Sequence, residues 1–238
     1  MVIKVFAVSV MVVGLRFREL LAAITPPLLI LMLCWLPSVM GFQYPFIVWV
    51  QSLVGSIYAP AVLFVNCACL LLGLSQPTLR ANQALYIRAA LIMVLYSLMS
   101  VAVTIPVAGV LAGSGLAELL YWGEGQGLTV LSGLFTRSVM FPLLLTVPYL
   151  VEHGDIDNEQ VKRMIYAYLL PLWGIGLCFE AGRLLLGVLA PEARNPSMKV
   201  LAVFVNHLLS SFSALLVGAA YLGVKKGAAL EQGSSDKV

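Results

Sequence analysis

Residues 89–111 read AALIMVLYSLMSVAVTIPVAGVL, a run of 23 residues without a charged side chain. A bilayer core of about 30 Å needs about 20 apolar residues in helical conformation, so this stretch predicts a transmembrane helix. The whole chain has the same character, because 61% of its 238 residues are hydrophobic, 11% are charged and the mean hydropathy is +0.99. A soluble domain carries about a quarter of its residues as charges. The composition therefore predicts an integral membrane protein, and a net charge of only +3 gives no indication of nucleic-acid binding.

Similar apolar stretches lie on both sides of this one. The predicted spans are 20–40, 46–73, 89–111, 128–151, 164–189 and 200–224. Prolines lie inside several spans, and they are tolerated there because neighbouring side chains can bond the carbonyls that they free. These prolines are Pro26, Pro27, Pro37, Pro60, Pro142 and Pro148. The sequence thus predicts an all-α, polytopic helical membrane bundle of about six transmembrane helices.

The segments outside the spans are short. Residues 1–19 begin with Lys4 and an apolar stretch, but no small-residue cleavage pattern of a signal peptide follows. We expect an N-terminal interfacial amphipathic helix over 1–19, and a second short helix over 78–88 that leads into the third span. Residues 20–226 form the six-helix transmembrane domain. Residues 227–238, with Gly, Ser, Asp and Lys, are expected to be a disordered cytoplasmic tail.

Basic residues predict the orientation of the bundle. Ten of the 14 Lys and Arg residues fall on one side of the six-span arrangement: Lys4, Arg16, Arg18, Arg80, Arg88, Lys162, Arg163, Lys225, Lys226 and Lys237. Only Arg194 and Lys199 fall in loops on the other side. By the positive-inside rule, both termini are expected in the cytoplasm.

Ionisable residues at membrane depth are the candidate functional residues, because a charge there is costly and is usually paired or functional. Counted along the helices, Arg137, Glu180 and His207 all fall in the outer half of the bilayer. Glu180 lies one turn from Arg183. A polar cluster is therefore predicted, with Glu180 as the counter-ion of Arg137 or Arg183. The candidate ligand-binding residues are Arg137, Glu180, Arg183, Asn206 and His207; Ser210 and Ser213 share a helical face with Asn206.

Two explanations of this cluster remain open. It is either a structural ion pair between helices, or a site that binds a lipid headgroup, a quinone or a transported solute, or that relays a proton. A ligand site should also show a cavity.

No catalytic or metal-binding set is predicted, and no cofactor. His153 and His207 lie about 18 Å or more apart along the membrane normal, too far to share a haem or a metal ion. The HExxH pattern is missing. The four cysteines, Cys34, Cys67, Cys69 and Cys178, fall within spans and are interpreted as small apolar core residues.

Glycines in the fifth span predict close helix packing. They are Gly174, Gly176, Gly182 and Gly187.

The chain resembles bacterial six-span proteins of unassigned function related to the membrane domain attached to some glycerophosphodiester phosphodiesterases. The resemblance rests on Arg16-Phe17-Arg18-Glu19-Leu20 before Pro26-Pro27, on 105–109 (IPVAG), on 147–152 (VPYLVE) and on 221–226 (YLGVKK). It implies a multi-pass protein of the bacterial inner (cytoplasmic) membrane and no catalytic residues.

From these observations we expect a non-enzymatic scaffold or accessory subunit of a membrane complex, in contact with the lipid bilayer and with other membrane protein subunits. One alternative is a permease subunit of a transporter that pairs with a separate ATPase. The other is a lipid-binding or quinone-binding membrane protein.

Overall fold

The computed structural model describes residues 1–40, 44–75, 82–114, 126–189 and 196–235. All regular elements in these ranges are helical. They are α1 (Val2–Leu15), α2 (Phe17–Val39), α3 (Pro45–Val50), a π-helix (Gln51–Tyr58), α4 (Ala59–Leu72), α5 (Gln83–Gly113), α6 (Gln126–Met140), a 3₁₀ helix (Phe141–Leu145), α7 (Thr146–His153), α8 (Asn158–Ala167), α9 (Leu169–Leu189) and α10 (Pro196–Ser235).

The predicted all-α membrane bundle is confirmed. Five helical segments are long and apolar enough to cross a membrane: Phe17–Cys34, Pro45–Leu72, Gln83–Gly113, Leu131–His153 and Phe204–Gly227. The count rises to six when α8 and the start of α9 are taken as one bent span.

The fifth span begins later than predicted. Its expected start at residue 164 lies in α8, which is bent by 75° from α9. The break falls at Tyr168 because Pro171 has no N–H for the carbonyl of Ala167. Helix α8 is a separate polar helix, and the carboxylate of Asp157 caps it by accepting from the backbone N–H groups of Glu159 and Gln160.

The third span begins earlier than predicted. Helix α5 is continuous from Gln83, so residues 83–88 belong to the span instead of to a separate helix, and 78–81 lie outside the described residues. No Gly or Pro interrupts the sequence between Gln83 and Ile105, so nothing ends the helix before the membrane.

The last helix also runs farther than predicted. Helix α10 continues to Ser235, whereas 227–238 was expected to be disordered. Ala228, Ala229, Leu230, Glu231 and Gln232 are all good helix formers, so the helix can continue beyond the span.

Helix α4 forms the centre of the bundle. Every residue from 61 to 70 is buried, and α4 contacts α2, α5, α7 and α10. Small residues such as Ala61, Cys67 and Cys69 let these neighbours approach closely. Two of the four cysteines are thus core residues as predicted, Cys34 is only partly buried, and the prediction is wrong for Cys178, which is exposed.

Helix α1 lies against the end of the bundle where basic side chains bond neighbouring helices. We call this the basic end; Arg16 donates there to the carbonyl of Leu70, at 2.6 Å. At about 21 Å, α1 is too short to cross a bilayer. It contacts α2, α9 and α10, and Val5 and Ser9 are buried against them. The helix differs from the predicted amphipathic pattern, because Ile3, Val10, Met11 and Leu15 on its exposed side are apolar.

Candidate functional site

A proline in α2 explains one of the polar side chains at membrane depth. Pro27 has no N–H for the carbonyl of Ala23, and the side-chain amide of Asn66 donates to this carbonyl at 3.0 Å. The adjacent carbonyl of Ile24 accepts from Nε2 of His207 at 3.2 Å. Side chains from the second and sixth spans thus bond the backbone of the first, and the bond of Asn66 replaces the one that Pro27 cannot make.

Asn66 also holds the third span. The hydroxyl of Tyr86 donates to Oδ1 of Asn66 at 3.0 Å, and both residues are buried. One amide therefore joins α2, α4 and α5.

We expect Asn66→Leu to lower the free energy of unfolding by about 2–4 kcal/mol, because the buried carbonyl of Ala23 and the hydroxyl of Tyr86 each lose this partner. Tyr86→Phe removes only one of the two bonds and should cost about 1 kcal/mol. Thermal unfolding in mild detergent measures both. Equal stability of Asn66→Leu and the unmodified chain would contradict this role of Asn66.

A cavity of about 480 Å³ lies inside the bundle. Side chains from all six spans line it, and it extends from the middle of the bundle toward the half far from the basic end. Its polar lining residues are Ser56, Tyr96, Ser97, Arg137, Glu180, Asn206, His207, Ser210 and Ser213. Its apolar lining includes Leu31, Leu63, Phe64, Met93, Leu144, Phe179 and Leu209.

The level of the cavity follows from helix lengths. His207 lies about 27 Å along α10 from Lys225 at the basic end, and Ser213 about 18 Å. Arg137 lies about 24 Å from His153 along its span. These levels agree with the predicted location of Arg137 and His207 in the half of the bilayer away from the basic residues.

Arg137 and Glu180 form an ion pair across α6 and α9. One guanidinium nitrogen, Nη1, lies 3.5 Å from Oε2 of Glu180. The Glu180 side chain is 13% exposed, whereas that of Arg137 is 48% exposed. A single long contact leaves most of the five guanidinium N–H groups available for another acceptor.

Three polar groups on the cavity lining offer lone pairs, while Asn206 and Ser213 on α10 also carry donors. The hydroxyl of Ser210 donates to the backbone carbonyl of Asn206 at 2.8 Å, and that of Ser97, on α5, donates to the carbonyl of Met93 at 2.8 Å. Because Nε2 of His207 donates to Ile24, Nδ1 of the neutral ring is an acceptor.

Four of the five predicted site residues, Arg137, Glu180, Asn206 and His207, therefore meet at one cavity. Arg137 is a counter-ion of Glu180, while the side chain of Arg183 lies outside the described residues. Sequence reasoning missed Ser56, Tyr96 and Ser97. The sequence did contain a signal for Ser56, because Pro60 has no N–H for the Ser56 carbonyl. The turns before Pro60 form the π-helix, and this helix contributes Gly55 and Ser56 to the cavity lining.

A second polar cluster ties α7 to α10 at the basic end. The hydroxyl of Tyr221 donates to Glu152 at 2.5 Å, and Lys225 forms an ion pair with the same carboxylate. The ring of His153 lies 4.4 Å from that of Tyr149. These groups bond one another, so this cluster serves to join two spans.

The described residues contain no group of three His, Cys, Asp or Glu side chains that could hold a metal ion. Comparison with protein-family models, with curated proteins and with solved structures finds no match to this chain.

Proposed function

We propose that this chain is a ligand-binding membrane protein, and that its central cavity holds the polar end of a lipid-soluble molecule. The observation that carries this proposal is the cavity of about 480 Å³ that brings the predicted polar cluster to one surface. Ligand pockets typically measure about 300–1,000 Å³ and combine apolar walls with a few polar groups. A purely structural ion pair needs only its two partners and tight packing.

A second, smaller cavity supports an amphiphilic ligand. It measures about 230 Å³ and lies between α2 on one side and α3 with the start of the π-helix on the other. Its lining is apolar apart from one amide: Leu33, Cys34, Pro37, Phe46, Ile47, Val50 and Gln51. Leu31 and Gly55 line the central cavity, whereas Cys34 and Gln51 line the smaller one, so the two lie about one turn apart along the same helices. A polar head in the first and an apolar chain in the second would match the two surfaces.

The hypotheses that the chain is a scaffold or accessory subunit, or a permease subunit, remain predictions from the sequence. No contact among the described residues bears on a partner chain or on a transport cycle.

Filling the cavity tests the proposal. Ser213→Trp places a large side chain on the cavity wall, and Leu208→Trp is the matched control because Leu208 lies on the same helix, 43% exposed and off the lining. We expect the unmodified chain and Leu208→Trp, purified in mild detergent, to retain a stoichiometric small molecule in native mass spectrometry, and Ser213→Trp to lose at least about nine-tenths of it. Equal retention by both variants, with equal thermal stability, would refute binding in this cavity.

A further inference from the structure

Three of the hydrogen-bonding groups on the cavity lining indicate the chemistry of its ligand. Ser97 and Ser210 already donate their hydroxyl hydrogens to their own helices, so each offers only lone pairs to the cavity. Nδ1 of His207 also offers a lone pair, because Nε2 carries the hydrogen that bonds Ile24. A ligand that satisfies these atoms must supply O–H or N–H donors.

The charged side chains of the cavity lining narrow the chemical class of the ligand further. The described lining contains one cation, Arg137, and one anion, Glu180, and they are paired. At this depth a ligand with a net charge would lose its hydration without gaining an unpaired opposite charge, so an uncharged head is favoured. Arg137 adds donors for an oxygen next to the ligand's hydroxyl group.

We infer that the ligand is an uncharged lipid whose head carries a free hydroxyl group beside a second oxygen, as in a diacylglycerol. This inference rests on the proposed function. A quinol has the same hydroxyl chemistry. An oxidised quinone and a fully esterified glycerolipid have only acceptors and would leave Nδ1 of His207 and Oγ of Ser210 without a donor.

The test compares two lipids that differ in this hydroxyl alone. The delipidated full chain in mild detergent is titrated with a diacylglycerol and with the same molecule acetylated at its free hydroxyl, and bound lipid is quantified by native mass spectrometry. We expect the diacylglycerol to bind about tenfold more tightly or better, because acetylation removes the only donor.

Two serine variants localise the effect. Ser210→Ala removes an acceptor from the cavity, and we expect it to reduce the preference for the diacylglycerol at least about threefold. Ser211→Ala is the matched control, because Ser211 makes the same 2.8 Å bond to its own helix, to the carbonyl of His207, but does not line the cavity. Its preference should equal that of the unmodified chain.

The remaining outcomes separate this inference from the proposed function. One outcome is that a quinol binds more tightly than the diacylglycerol while the corresponding quinone binds weakly. This would support a ligand with a free hydroxyl group and would identify that ligand as a quinol. Preferential binding of anionic phosphatidylglycerol or of the acetylated lipid, lost in Ser213→Trp, would overturn the inference and leave the proposed function standing. Binding of none of these probes, with no molecule retained on purification, would overturn both.

Discussion

Gly176→Leu is expected to lower the free energy of unfolding by about 3 kcal/mol or to prevent the protein from accumulating. A Cβ atom at this position would lie 2.8 Å from Cβ of Phe141 and 3.0 Å from the backbone oxygen of Ser138. Neither neighbour can easily move, because Ser138 lies in the last turn of α6 and Phe141 begins a 3₁₀ helix with four buried residues. The added side chain must therefore push α9 away from α6.

Gly182→Leu is the matched control for this change. Gly182 lies on the same helix, and a Cβ atom there would meet nothing within 4 Å. The gain in helix propensity, about 0.8 kcal/mol, is the same at both positions, so the difference in thermal unfolding in mild detergent isolates the packing. Similar stability of the two variants would show that α9 and α6 are not in this close contact.

Arg137→Ala is expected to lower the free energy of unfolding by about 3 kcal/mol, which is the second large effect that we predict. It removes the guanidinium of Arg137 from the carboxylate of Glu180, which is 13% exposed and lies at membrane depth. Glu180→Gln should cost less, about 1 kcal/mol, because Arg137 is half exposed and its long side chain can turn toward a more polar region. Thermal unfolding of both variants measures this asymmetry, and an equal cost would contradict the difference in burial.

The double variant Arg137→Met with Glu180→Leu separates stability from binding. Replacing both charges with apolar side chains of similar size removes the ion pair as a whole, so we expect the free energy of unfolding to stay within about 1 kcal/mol of that of the unmodified chain. Because the ligand loses the donors of Arg137, retention of the copurified molecule should still fall at least about tenfold. A stable double variant that retains the molecule in full would assign the pair a purely structural role.

Local sequence signals located the spans, because hydropathy acts over short stretches of chain. They also indicated which prolines would free carbonyls. They did not identify the bonding side chains, because Asn66 and His207 reach α2 only through the packing of three spans.

The predictions made for the glycines show the same limit of local sequence signals. The sequence predicted close packing at both Gly176 and Gly182, and the structure places only Gly176 against a neighbouring backbone. Two close contacts were missed: an added Cβ would collide with the side chain of Leu71 at Gly218 and with that of Tyr168 at Gly227. Which face of a helix meets a partner depends on the rotation of that helix, which a uniformly apolar sequence does not determine. The cavity was likewise beyond prediction, because its volume is what remains after all six spans have packed.

The most direct test of the central claim locates a bound lipid on the chain. A diacylglycerol with a photoreactive diazirine in its chain beside the head group is incorporated with the protein into bilayer nanodiscs, irradiated, and its adducts are mapped by mass spectrometry of peptides. We predict adducts concentrated on cavity residues such as Leu144, Phe179 and Leu209, and their loss in Ser213→Trp but not in Leu208→Trp. Adducts spread over the exposed face of α5, at Leu91, Leu95 and Leu98, and unchanged in Ser213→Trp would contradict binding in the cavity.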